Sequence, residues 1–239
     1  MVDRLGIDAK KAPDMNHFLY NNYGTSMAGL RAIGYDLDND DYHSFVHGRL
    51  PYHKLNPDHQ LRTLLLSLPL RKVIFSNADK VHVAKVLSKL GLVGCFDEII
   101  CFETLNPSST NTTPGNDMRH TCCHTNVSAS AFAFPLPPTS TLCKPQEAAF
   151  QVALNKANID PNKTLFFDDS IRNIQAAKRV GLHTVLVGTS VQSEGVDFAL
   201  ESIHNMKEAL PQLWLLNDFD RSLNTRICRK TAIQTSVEA

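Results

Sequence analysis

The stretch KPQEAAFQVALNKANIDPNKTLFFDDSIRNIQAAKRVGLHTVLVG, residues 144–188, decides the fold. It opens with Pro145 at a first-turn position and then sets Phe150, Ala153, Leu154 and Ala157 on one helical face. A short apolar run from Thr164 to Phe167 follows, then a helix from about Ile171 to Val180 that stops at Gly181, then a second apolar run from Thr184 to Val187. Apolar runs too short for helices, alternating with amphipathic helices, predict βαβ units and a parallel sheet.

The same texture extends outward from this stretch. Val73-Ile74-Phe75 reads as a strand, and the helix behind it places Val83, Val86, Leu87 and Leu90 on one face before Gly91. Ile99 to Phe102 reads as the next strand, and a helix around Ile203 to Leu210 closes the unit. Residues 58–215 therefore form an α/β core, whereas residues 1–57 read as a small helical appendage of glycine-broken, polar-faced helices. Between Asn106 and Leu142 the chain is rich in Ser, Thr, Asn and Pro, lacks periodicity and is too long for an ordinary connection, which predicts a disordered insertion over 106–142. Within it His120, Cys122, Cys123 and His124 cluster, but adjacent cysteines fit poorly around one tetrahedral ion and no second ligand pair stands at finger-like spacing. Residues 216–239 read as a loose polar tail.

Composition narrows the function classes. Lys plus Arg equals Asp plus Glu, at 24 each, so no global field recruits nucleic acid or an anionic membrane, and any anion must be bound in a local pocket. No run approaches the roughly 20 apolar residues of a membrane span, and the charged opening MVDRLGIDAKK is unlike a secretory leader. The six cysteines show no framework spacing, which predicts free thiols in a reducing, cytoplasmic compartment.

Three features sit where open α/β sheets place their ligands, at carboxyl ends of strands or at a helix start. Ser76-Asn77 follows Val73-Ile74-Phe75, so a hydroxyl and freshly exposed N–H groups can hold phosphoryl oxygens; alone, the pair reads as turn or cap residues. Lys144 precedes Pro145, which brings an ammonium beside a helix N-terminus; alone, it reads as a surface lysine. Asp168-Asp169-Ser170 ends the 164–167 run, and two adjacent carboxylates there repel unless a cation or donors neutralise them, although a helix cap would explain one of them.

The order IFSNAD (74–79), CKP (143–145), FFDDSIRN (166–173) resembles the haloacid dehalogenase (HAD) superfamily of hydrolases, and residues 144–188 are similar to plant and yeast pyrimidine 5′-nucleotidase-like members. The likeness runs from residue 1 to about 215. It implies a Rossmann-like parallel sheet with a small helical cap, and a Mg2+-dependent phosphohydrolase acting on nucleoside monophosphates or similar small phosphate monoesters. Ser76 with the N–H of Asn77 matches the position that binds the transferring phosphoryl group, and Lys144 the lysine that steadies phosphate and nucleophile. Asp169 matches the Mg2+ ligand, Asp168 its partner at the metal, and Asn173 stands where another acid often does. The resemblance also implies a first, central strand ending in an Asp-x-Asp-x-Thr motif that supplies the nucleophile.

This sequence contains no such strand and opens in cap-like stretches, LGID, YGTSMAGL and GYDLDNDDYHSFVHGRLPY. Asp36-Leu37-Asp38-Asn39-Asp40 copies the spacing, but no buried strand precedes it and only about 40 residues separate it from Ser76. It reads as an acidic inter-helix loop. The expectation is an N-terminally truncated, inactive form of the enzyme; the alternative is a non-catalytic phosphate-binding or interaction module that associates through its exposed sheet.

Overall fold

Helix caps and glycines punctuate the N-terminal third. In the computed structural model, which describes residues 1–107 and 135–215, this third forms α1 (Val2–Leu5), α2 (Ala12–Tyr23), α3 (Ser26–Ala32) and α4 (Asn39–His47). The Thr25 hydroxyl accepts the Ala28 N–H at 3.1 Å and starts α3, and the Asp38 carboxylate accepts the Asp41 N–H at 2.8 Å and starts α4. Asp38 of the acidic stretch 36–40 is thus a helix cap. Apolar faces of α2 and α3 close on one another through Met15, Leu19, Tyr23, Ala28 and Leu30, with Gly29 admitting the Leu19 side chain where a β-carbon would collide.

The core follows as α5 (His59–Ser67), β1 (Val73–Phe75), α6 (Lys80–Lys89), β2 (Glu98–Ile100), α7 (Phe102–Leu105), α8 (Glu147–Lys156), β3 (Leu165–Asp168), α9 (Ile171–Arg179), β4 (His183–Val187), β5 (Phe198–Leu200) and α10 (Met206–Ala209). Several elements differ from the sequence reading, among them the helix expected around Ile203 to Leu210, which is a 3-10 turn over Ile203–Asn205 followed by the short α10. Gln146 is the N-cap of α8, so Pro145 lies ahead of the helix; Phe102 begins α7 instead of ending β2; and β5 forms where no periodic run announced a strand. Three residues are too short for an alternation to be legible. Residues 135–142, within the stretch read as an insertion, run along the helical layer: the Tyr23 hydroxyl donates to Pro137 O at 3.1 Å and the Thr139 hydroxyl to Ala28 O at 3.2 Å. The His120–His124 cluster and the 216–239 tail lie outside the described residues.

Among the described residues all strand pairings are parallel, as expected of an α/β fold, but they form two half-sheets, β1-β2 and β3-β4-β5. Strands β1 and β3 are not hydrogen-bonded to one another. A cleft of about 660 Å3 opens between them, lined by Val73, Ile74 and Phe75 of one edge and Leu165, Phe166 and Phe167 of the other. Two apolar layers hold the halves together across it. On one face Leu65 and Leu68 pack with Leu92, Val185, Leu200 and Met206; on the other, the Phe150 ring meets Phe75 and Phe166 edge-on at 5.3 and 5.2 Å. Among the described residues no helix is long and apolar enough to cross a membrane.

Candidate active site

The carboxyl ends of β1 and β3 stand side by side, and a single ammonium joins them. Lys144 Nζ donates to the Phe75 carbonyl at 2.9 Å and to Asp168 Oδ2 at 2.7 Å. Both side chains are largely buried, 10% and 7% exposed, so water screens the pair little. The ammonium also lies 5.1 Å from the Phe75 ring centroid and 5.3 Å from that of Phe166.

The backbone of Lys144 is held as firmly as its head. Asn77 Oδ1 accepts the Lys144 N–H at 2.8 Å, and Asn77 Nδ2 donates to the Lys144 carbonyl at 3.0 Å. The carboxamide of Asn77 is therefore committed to Lys144, which leaves its main chain for any anion. Ser76 extends β1 by donating its N–H to Ile100 O at 2.9 Å, and its Oγ accepts the Ala78 N–H at 3.1 Å in a tight local turn.

Asp168 and Asp169 are unequal. Asp168 Oδ1 accepts the Ser170 N–H and Asn173 Nδ2, each at 2.9 Å, while Oδ2 faces Lys144, so both its oxygens are engaged by protein donors. Asp169 is exposed, and none of the hydrogen bonds among the described residues involves its carboxylate. The fold thus resolves the repulsion between the two carboxylates by neutralising one and exposing the other. Mg2+ is held through one or two carboxylates, with water and substrate oxygens completing the shell, and Asp169 suits that role. Among the described residues no group of three or more His, Cys, Asp or Glu side chains could hold a metal by itself.

Ser76, Asn77, Lys144, Asp168 and Asp169, remote in sequence, are thus gathered at one end of the sheet. Sequence reasoning missed the residues that join the helical layer to this site. Arg172, three positions after Asp169, donates to the Tyr20 and Asn21 carbonyls at 3.2 and 2.5 Å. Cys143 Sγ donates to Tyr23 O at 3.2 Å; its thiol pKa is pushed up by burial. Gly24, at φ 86°, lies against Lys144 and Pro145, where a β-carbon would sit 2.8 Å from Pro145 Cδ and closer still to the Lys144 carbonyl. Gly24 in YGTSMAGL carried a signal, since a glycine between two helical patterns marks a turn, but its packing partner did not show.

A family model for haloacid dehalogenase-like hydrolases matches residues 53–181, more than half of the chain. Phosphate metabolism protein 8 of Saccharomyces cerevisiae is 26% identical over 191 residues, covering 76% of this chain and 50% of that protein. The chain thus spans about half the length of that curated relative. Among solved structures, the putative HAD-hydrolase YfnB of Bacillus subtilis, crystallised bound to magnesium, superposes with a TM-score of 0.51 at 15% identity, covering 88% of this chain and 84% of that one. L-2-haloacid dehalogenase of Xanthobacter autotrophicus gives a TM-score of 0.47 at 14% identity, covering 78% and 73%. The chain belongs to the haloacid dehalogenase-like hydrolase family.

Proposed function

We propose that this chain carries the cap and most of the core of a Mg2+-dependent phosphohydrolase for small phosphate monoesters, nucleoside monophosphates of the pyrimidine 5′-nucleotidase type foremost. The observation that supports it is the Lys144 ammonium, clamped by Asn77 and stretched between the ends of β1 and β3. A fixed cation at a strand end, beside a hydroxyl and free main chain, is suited to the charge that spreads over a transferring phosphoryl group. Ser76 and the main chain at Asn77 bind the phosphoryl oxygens, Lys144 neutralises them, and Asp168 orients Lys144. Mg2+ would be held by Asp169, with Asp168 beside it, and would offset further phosphoryl charge.

The nucleophile is not among these residues. We place it on a strand occupying the cleft between β1 and β3, since a parallel strand there would end beside Lys144; without that strand the chain is inactive. Three described cysteines, Cys95, Cys101 and Cys143, are buried free thiols, which suits the cytoplasm. A second reading, a non-catalytic phosphate-binding module that associates through its open sheet edges, draws on the same cleft.

The test is hydrolysis of p-nitrophenyl phosphate and of pyrimidine monophosphates, with and without Mg2+, by the chain alone and by the chain preceded by an apolar strand ending in Asp-x-Asp-x-Thr. The expected outcome is turnover only with the strand and Mg2+, lowered at least about 100-fold by Lys144→Met. Turnover by the chain alone that disappears in Asp36→Asn would overturn the reading. Absence of turnover in both, with phosphate binding retained, supports the non-catalytic module.

A further inference from the structure

Three imidazoles from two layers of the molecule are packed in one file. His43 and His47 lie one turn apart on α4, with ring centroids 5.4 Å apart and planes 10° from parallel. His47 then meets His82 of α6, centroid to centroid at 4.2 Å. The file is capped at one end by Phe102, edge-on to His43 at 4.6 Å, and at the other by Tyr52, whose hydroxyl is 2.7 Å from His82 Nδ1. His43 is 7% exposed, as is Asp79, the N-cap of α6.

One carboxylate touches the file. Asp79 Oδ1 is hydrogen-bonded to His47 Nδ1, and Oδ2 accepts the His82 N–H at 3.1 Å. The other ionisable groups facing it are Glu103 of α7, whose oxygens accept the Lys80 N–H at 3.0 Å, Asp40 and Tyr42 of α4, and Lys85 of α6, which sits 3.9 Å over the Tyr52 ring and adds positive charge. A single proton on the file can be matched by Asp79. A second places like charges on neighbouring rings, which Glu103, already engaged by the Lys80 N–H, and Asp40 offset only in part.

We propose that His43, His47 and His82 form an acid-opened latch that holds α4 down on the start of α6 only while the file carries no more than one proton. The residue that ties α4 down, Asp79, is three positions beyond Ser76 in the chain. Burial pushes the pKa of His43 below the ordinary 6.5, more than Asp79 raises it, and burial with the neighbouring His47 does the same to His82. The unfolded chain therefore takes up these protons first. The latch is fully closed above about pH 6.5 and weakens as pH falls from there towards the lowered folded values. The burial of Asp79 pushes its own pKa up, but the His82 N–H and His47 outweigh that and hold it below 3.8, so its titration belongs to a separate, more acidic range. The latch does not depend on the hydrolase reading.

Hydrogen exchange of the α4 amides in the full chain, corrected for the intrinsic pH dependence of exchange, tests this against α9 as internal reference. Between pH 7.5 and 5.5 the protection of α4 should fall at least about tenfold relative to α9. In the doubly substituted chain His43→Phe, His82→Phe, which keeps the stack but removes two titrating sites, the ratio should be flat. A flat ratio in the native chain, or the same fall in the substituted one, overturns the latch. Should the substituted chain not fold, NMR titration of the native histidine Cε1 protons decides: titration of His43 and His82 below the ordinary range supports it, and ordinary titration of both overturns it.

Discussion

Lys144 shows how one residue can serve stability and chemistry together. Its ammonium replaces water with a carbonyl, a carboxylate and two ring faces, and the attraction in this poorly solvated place offsets the desolvation of both charges only while the partner is present. Lys144→Met should therefore cost about 3 kcal/mol, and Asp168→Asn a similar amount, because each strands the other charge. The double substitution should cost less than the sum. Urea titrations of the four proteins measure this, and strict additivity would show that the pair does not interact. The sequence named Lys144, Ser76, Asp168 and Asp169 as candidates, but by residue type, order and place at strand ends or a helix start, without their contacts. That Asp168, the last residue of β3, meets the lysine while Asp169, just past the strand, is exposed was decided by the tertiary structure.

Among the elements, β5 is the least legible and the most dependent on a polar anchor. Its position on β4 is secured by Thr184, which is wholly buried, donates its hydroxyl to Gly195 O at 2.7 Å and accepts the Asp197 N–H at 3.1 Å. Asp197 in turn takes the Thr184 N–H at 2.9 Å and the Lys178 ammonium at 2.6 Å. Thr184→Val keeps the shape and strands the Asp197 N–H, so a loss of about 1–3 kcal/mol is expected, read as a lowered melting temperature. An unchanged value would mean that the segment before β5 is not anchored there. Helix α8, by contrast, was readable from its own pattern, since the positions predicted to face inward include the buried Phe150, Ala153 and Ala157. Its start was not, because Pro145 is equally at home in the first turn and just before a helix.

At the scale of the whole molecule the distinguishing feature is the cleft between the half-sheets. An apolar surface between two strand edges that are unpaired among the described residues is an unusual thing for a folded chain to carry, and it should bind an environment-sensitive apolar dye saturably under native conditions. Ile74→Trp, which adds bulk from the β1 side, should lower the amount bound, and so should a strand supplied ahead of the chain. Fluorescence titration reads both; a native chain that binds no dye would show that the half-sheets close on each other in solution.

Residue order and pattern were enough to establish the α/β class, the helical N-terminal layer and the family, because strands, helices and strand-end polar groups each leave a local signature in the chain. That the sequence holds no Asp-x-Asp-x-Thr motif was equally readable there. How the two half-sheets are joined was not, since strand pairing joins residues far apart in sequence: β1 and β3 are separated by the 89 residues from Ser76 to Thr164 and are bridged by packing and Lys144. The file of His43, His47 and His82 is a product of the same folding. Two of its members share a helix face that spacing reveals, but the third arrives from another layer, and only the docking of α4 on α6 turns three ordinary histidines into one interacting group.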